Sequence, residues 1–130
     1  MTFDEAHRRI KVADAQALKR ALGEGLDSNL SNRFSWTLLM LSAMEGNVGI
    51  GELLVAHGAR VDSANDFGDT ALSLAAHKGH ERFVAWLLAR GASMECRPHG
   101  WQLRDWIRQT SGLPREKIAS ILTLLGLEPH

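Results

Sequence analysis

Residues 66–92 read DFGDTALSLAAHKGHERFVAWLLARGA, and this stretch decides the fold. Asp66 and Gly68 suit a tight turn, because aspartate can hydrogen-bond its own backbone and glycine supplies a positive φ. Thr70 then stands where a helix needs its N-cap, ahead of the apolar residues Leu72, Leu74, Ala75 and Ala76. Gly79 stops that short helix, and His80 opens and caps a second one. In the second helix Phe83, Val84, Trp86, Leu87 and Leu88 make a wide apolar stripe, closed by Gly91. The product is a helical hairpin with more apolar surface than it can bury alone.

The hairpin recurs at a period of thirty-three residues. Upstream, Thr37-Leu38-Leu39 matches Thr70-Ala71-Leu72, Gly46-Asn47 matches Gly79-His80, and Gly58-Ala59 matches Gly91-Ala92. One period further back, Asp14 matches Asn47 and Gly25-Leu26 matches Gly58-Ala59. A fixed period of this size marks a stacked array whose members bury one another's faces. The pattern G-x-T-A-L-x-L-A-A-x-x-G-H followed by L-L-x-x-G-A, within 68–92, closely resembles the ankyrin repeat. That resemblance implies an all-α solenoid of stacked helix-turn-helix units. The expected units of one domain are about 1–29, 30–63, 64–96 and 97–130.

The two ends depart from the pattern in different ways. In the first unit Phe3, Ala6 and Ile10 share one helix face, and Ala15, Leu18, Ala21 and Leu22 share another. The opposite faces carry Asp4, Glu5, Arg8, Arg9, Lys19 and Arg20, the solvated side that a terminal unit needs. The second unit is expected to form helices over Leu38–Met44 and Val48–His57, with Asn47 capping the latter. Gly49 and Gly51 lie inside it at about 1 kcal/mol each against alanine, which predicts a close approach by the neighbouring helix. In the last unit Gln102 replaces the capping threonine. Ser111-Gly112-Leu113-Pro114 lengthens the loop, and Pro114 suits the first turn of the final helix. The tail Leu127–His130 is expected to fray.

Composition narrows the function. Fifteen basic and fifteen acidic residues cancel, which gives no electrostatic reason to expect nucleic acid or an anionic membrane as partner. Cys96 is the only cysteine, so no internal disulfide forms, and a free thiol fits a reducing compartment. The first twenty residues hold no apolar run of signal-peptide length, and no segment approaches the ~18 apolar residues of a membrane span. The expectation is a soluble, cytoplasmic protein, monomeric when unbound. Nucleophile motifs, phosphate-binding glycine loops and recognisable carboxylate pairs are lacking, so neither an enzyme nor a cofactor is expected.

Two histidine-based pairs have metal-ligand spacing, His77 with His80 and Cys96 with His99. A zinc site needs its ligands to converge, and His80 already has a helix to cap, so no metal is expected.

The ankyrin resemblance implies a protein partner bound through the turn tips and the concave face of the first helices. Residue by residue, the tips are Arg33, Phe34 and Trp36, then Asp66, Phe67 and Asp69, then His99 and Trp101. The helix positions are Met44, Glu45, His77, Lys78 and Gln109. Rings at Phe34, Trp36, Phe67 and Trp101 are typical of interface hot spots; alternatively they fold back and rigidify adjacent turns. Trp86 and Trp106 lie on helix stripes and are expected to pack in the core. The resulting reading is a non-catalytic protein-interaction module. An immunity protein that occludes a cognate bacterial toxin is the alternative, supported by family analogy and small size.

Overall fold

The computed structural model describes residues 1–127, so Glu128, Pro129 and His130 of the expected fraying tail lie outside the described residues. Among the described residues eight α-helices follow one another: α1 (Phe3–Lys11), α2 (Ala15–Gly23), α3 (Leu38–Glu45), α4 (Val48–Ala56), α5 (Ala71–Lys78), α6 (Glu81–Ala89), α7 (Leu103–Thr110) and α8 (Arg115–Leu124). A single 3-10 turn, Pro98–Gly100, precedes α7. The odd-numbered helices pack in one row and the even-numbered ones in a second, each pair joined by a tight loop. This is the stacked all-α solenoid that the period implied.

Helix starts follow the capping residues. Thr2, Asp14, Thr37, Asn47 and Thr70 each accept a hydrogen bond from a backbone N–H three residues on. Each bond satisfies a donor that the helix itself leaves orphaned. Thr70 goes further: the Ser73 hydroxyl accepts from the Thr70 N–H at 2.9 Å, completing a reciprocal capping box. The last unit lacks such caps, and Pro114 stands in the N-cap position of α8, one place before the first turn.

His80 does not cap α6. Its Nε2 lies 2.9 Å from the Met44 carbonyl at the end of α3, and its ring packs over Gly46. Imidazole reaches too far for the local N–H groups, so this histidine ties two neighbouring units together. The last turn of α3 is thereby partnered from outside its own unit.

The two glycines of α4 differ. A Cβ on Gly51 would lie 3.0 Å from the Trp86 ring and 3.2 Å from Phe83, so the close approach of α6 explains this residue. Gly49 is exposed, and a Cβ there would meet only the Asn47 side chain at 3.4 Å. Close packing therefore accounts for one glycine and not the other. Gly68 answers to backbone instead: its φ is +81°, and a Cβ would run into the Arg97 carbonyl oxygen of the next turn.

The core runs the length of the stack. In α3 and α5 six of eight residues are buried, because each has a neighbour on both sides as well as its own partner helix. Phe83, Ile50, Leu54, Leu72 and Leu87 are at most 1% exposed. Trp86 is half-buried, edge-on to Phe83 at 5.1 Å with Arg90 over its ring, so it lies at the core margin instead of inside. Leu127 does not behave as a frayed end: its N–H donates to the Leu122 carbonyl at 2.8 Å, and its side chain packs against the core.

Two stability predictions follow from this packing. Gly51→Ala should destabilise, because Trp86 must move, whereas Gly49→Ala should stabilise by about 0.5–1 kcal/mol through helix propensity. Urea denaturation of both variants checks the pair, and equal shifts would contradict the α4–α6 contact. Leu87→Ala should cost about 2–5 kcal/mol. Val12→Ala, at a site 69% exposed, should change stability by less than about 0.5 kcal/mol in the same measurement.

Candidate partner-binding face

The turns that precede α3 and α5 are built on asparagine. Asn32 Oδ1 accepts from the N–H groups of Phe34 and Trp36, both at 3.0 Å. Asn65 Oδ1 accepts from Phe67 at 2.9 Å and Asp69 at 3.0 Å. The bonds force the intervening residues outward and place Phe34 and Phe67 at equivalent positions. Ser35 takes the left-handed conformation at φ 66° that Gly68 takes one unit later. Arg97 and Pro98 stand where asparagine would, and a 3-10 turn puts His99, also left-handed at φ 52°, at the third tip.

Adjacent turns are tied by backbone. The Asp66 N–H donates to the Phe34 carbonyl at 3.0 Å, and the His99 N–H donates to the Phe67 carbonyl at 2.6 Å. These bonds hold the tips in register, and their rings form a track. Centroids are 6.1 Å apart for Phe34 and Phe67, 5.5 Å for Phe67 and His99, 4.8 Å for His99 and Trp106, and 4.5 Å for Trp106 and His77. The Arg33 guanidinium lies 4.8 Å over Phe34 at one end. Phe34 and Phe67 are tilted by 38° and the later pairs are stacked, yet Phe34 and Phe67 remain 42% and 43% exposed.

Trp106 is half-buried and packs against the core as its stripe position implied, and it also borders this face by stacking on His77 and His99. Helix α7 buries Leu103 and Ile107, and the tryptophan projects from the edge of that stripe onto α5. Sister units carry Leu41 and Leu74 at the corresponding place, the least buried of the core leucines in their helices at 8% and 6%. A larger ring at a margin position reaches the neighbouring rings of the face while its Nε1 stays buried.

At the other end of the row, α1 and α3 flank a cleft of about 310 Å³. Phe3, His7, Trp36, Leu41, Met44 and Glu45 line it. Three of the expected residues, Trp36, Met44 and Glu45, thus meet in one concavity, with Phe3 and His7 as partners the sequence reading missed. Arg33, Asp66, Lys78 and Gln109 are exposed, and Trp101 is 41% exposed.

Asp69 departs from its expected place on a tip. It is 2% exposed, because the turn of the next unit closes over it. Oδ2 accepts from Asn65 at 3.3 Å and lies 3.5 Å from His99 Nε2, while Oδ1 is buried without a partner. Burial pushes its carboxyl above the usual value of 3.8, against the opposing pull of Asn65 and the two histidines. Burial likewise holds His77 below the ordinary imidazole value, with Lys78 adding to the effect. His77 Nε2 lies 2.8 Å from the Thr110 hydroxyl. His80 is turned to the Met44 carbonyl and His77 to the Thr110 hydroxyl, so that pair is not gathered, and no cluster of three metal-ligating side chains forms among the described residues.

The raised Asp69 carboxyl has a stability consequence of definite sign. The native state holds a proton there that the unfolded chain has already lost, so stability falls as pH rises through the folded value. Asp69→Asn should therefore be more stable than the parent at neutral pH, with the difference closing as pH falls toward 3.8. Denaturant midpoints across that range check it; a pH-independent difference would contradict the burial argument.

Comparison with known proteins places this geometry in context. Residues 7–97 match the family described as ankyrin repeats, in three copies. The chain is 46% identical over 61 residues to the ankyrin repeat and KH domain-containing protein mask of Drosophila melanogaster, covering 45% of this chain and 2% of that one. It is 31% identical over 84 residues to the potassium channel AKT1 of Oryza sativa subsp. indica, covering 65% and 9%. It is 38% identical over 57 residues to the mitochondrial disaggregase of Homo sapiens, covering 44% and 8%. The chain thus spans less than a tenth of the length of these relatives, and the likeness concerns their repeats. By its period, its stacked helix pairs and this match, the chain belongs to the ankyrin-repeat family.

Proposed function

We propose that this protein is a non-catalytic module that binds a protein partner through its concave face and turn tips. Ankyrin repeats are generally protein-interaction modules, and the family is generally non-catalytic. The observation that carries the reading is the exposure of large rings along one edge. Phe34, Phe67 and Trp101 are each more than 40% exposed, although they are held by a hydrogen-bonded turn frame that polar residues would satisfy equally well. Prepositioned aromatic side chains lose little entropy on docking and are enriched among hot spots. The cleft beside Trp36 and Met44 supplies the concavity in which an anchoring side chain is desolvated. No residue favours the narrower toxin-inhibitor role over another protein partner. No helix among the described residues is long and apolar enough to cross a membrane. The lone thiol at Cys96 supports the cytoplasmic assignment.

A photo-crosslinking residue at Phe34 or Trp101 should capture the partner in the source cell, and one at Arg82 on α6 should not. With the captured protein in hand, Trp101→Ala and Trp36→Ala should each weaken binding by about 2 kcal/mol or more. Trp101→Ala should leave the melting temperature within a few degrees, whereas Trp36→Ala should cost some stability because its ring is half-buried. Unchanged affinity in both folded variants would contradict the reading.

A further inference from the structure

The cleft between α1 and α3 has walls of unlike charge. Phe3, Ile10, Trp36, Leu41 and Met44 make its apolar lining, two rings and a thioether among them. Lys11, the last residue of α1, stands on one wall, and Glu45, the last residue of α3, stands on the other. They are the fixed charges of that lining, whose other polar side chains are His7 and Asn32. Arg33 and Asp66 at the turn tips and Lys78 on α5 do not line it. Lys11 and Glu45 are exposed, and neither takes part in an ion pair among the described residues. The cleft therefore carries no excess of either sign. What it offers is an arrangement, a cation and an anion facing each other across an apolar floor.

Size decides what can enter. The volume of about 310 Å³, a cube of about 7 Å edge, is too narrow for an α-helix of ~10–12 Å diameter but takes one large side chain. Rings and a thioether in the lining favour an aromatic one, because ring–ring and sulfur–ring contacts add to the gain from burial. In an extended chain, the side chains two residues before and after such an anchor share its side, ~6.6 Å away along the backbone. That distance carries them past walls about 7 Å apart and onto the rims that hold Lys11 and Glu45.

We propose that the cleft anchors one aromatic side chain of an extended partner segment, with a carboxylate of that segment toward Lys11 and a basic group toward Glu45. The proposal rests on partner binding at this face and adds the pattern that is read there. Charge pairs at an exposed rim are weak and screened by salt. The anchor therefore supplies most of the affinity, and the flanking charges supply the choice between partners.

The test uses the full chain and short fluorescein-labelled peptides followed by anisotropy. Their centres read Glu-Ser-Phe-Ser-Lys, the reversed Lys-Ser-Phe-Ser-Glu, or the same core flanked by two Glu, two Lys or two Gln; a control carries Ala in place of Phe. At low salt and about pH 8, above the ordinary imidazole range, both mixed peptides should bind more tightly than the rest. The margin over either like-charged peptide should be about two- to fivefold. The Ala control should lose about tenfold or more. Charge reversal then moves the preference in a stated direction. Lys11→Glu should bind the two-Lys peptide best, Glu45→Lys should bind the two-Glu peptide best, and the double variant should again prefer the mixed ones. Both positions are exposed, so these variants should melt near the parent temperature. Equal binding of all flanks, a preference that neither reversal moves, full affinity in the Ala control, or no binding up to about 1 mM would each overturn the proposal. Because the crosslinked partner and the Ala variants at Trp36 and Trp101 test site occupancy separately, failure of the peptides would remove the anchor pattern and leave the partner-binding reading standing.

Discussion

Burial between neighbouring units is the interaction on which everything else in this molecule depends. A helix pair of seventeen or so residues leaves one apolar face uncovered, and only the next pair can cover it. The all-round burial of α3 and α5 records this, as does the meeting of Gly51 with Trp86 across α4 and α6. His80 adds a polar tie of the same kind, reaching from one unit to the Met44 carbonyl of the one before. Stability is then a property of interfaces, and damage in the middle of the row is felt on both sides.

The candidate face is a by-product of that stacking. Units in register place equivalent turn residues side by side, and the Asp66–Phe34 and His99–Phe67 backbone bonds fix the spacing. A phenylalanine at one turn position in two units, followed by histidine in the third, becomes a continuous row of rings without further design. The last unit alters the track because Arg97 and Pro98 replace the asparagine-based turn, which brings His99 over Asp69 and against Trp106. Departure from the repeat is thus where the face acquires its individual chemistry.

How much of this was legible varies with the range of the interaction. Turn glycines, threonine caps and the 33-residue period act within a few residues or repeat outright, so the helix pairs and their order could be read directly. Most of the failures involve contacts between units. His80 looked like a cap because its position is that of Asn47 and Asp14, but only the structure shows the carbonyl it reaches. Asp69 looked exposed because it follows a turn glycine, yet the next turn covers it. Trp106 packs against the core as its stripe spacing suggests, but its stacking on His77 and His99 involves other units and turns and is not visible in that spacing. Leu127 looked terminal, although the last helix uses it to close the core.

In the proposed binding mode the odd-numbered helices and their turn tips, and not the even-numbered row, meet the partner. Hydrogen exchange measured on the free chain and on its complex with the crosslink-identified partner tests this most directly. Added protection is expected at residues 32–36, 65–69 and 98–101 and along α1 and α3, with α4, α6 and α8 unchanged. Protection concentrated on the even-numbered helices, with the turn tips exchanging as in the free chain, would contradict it.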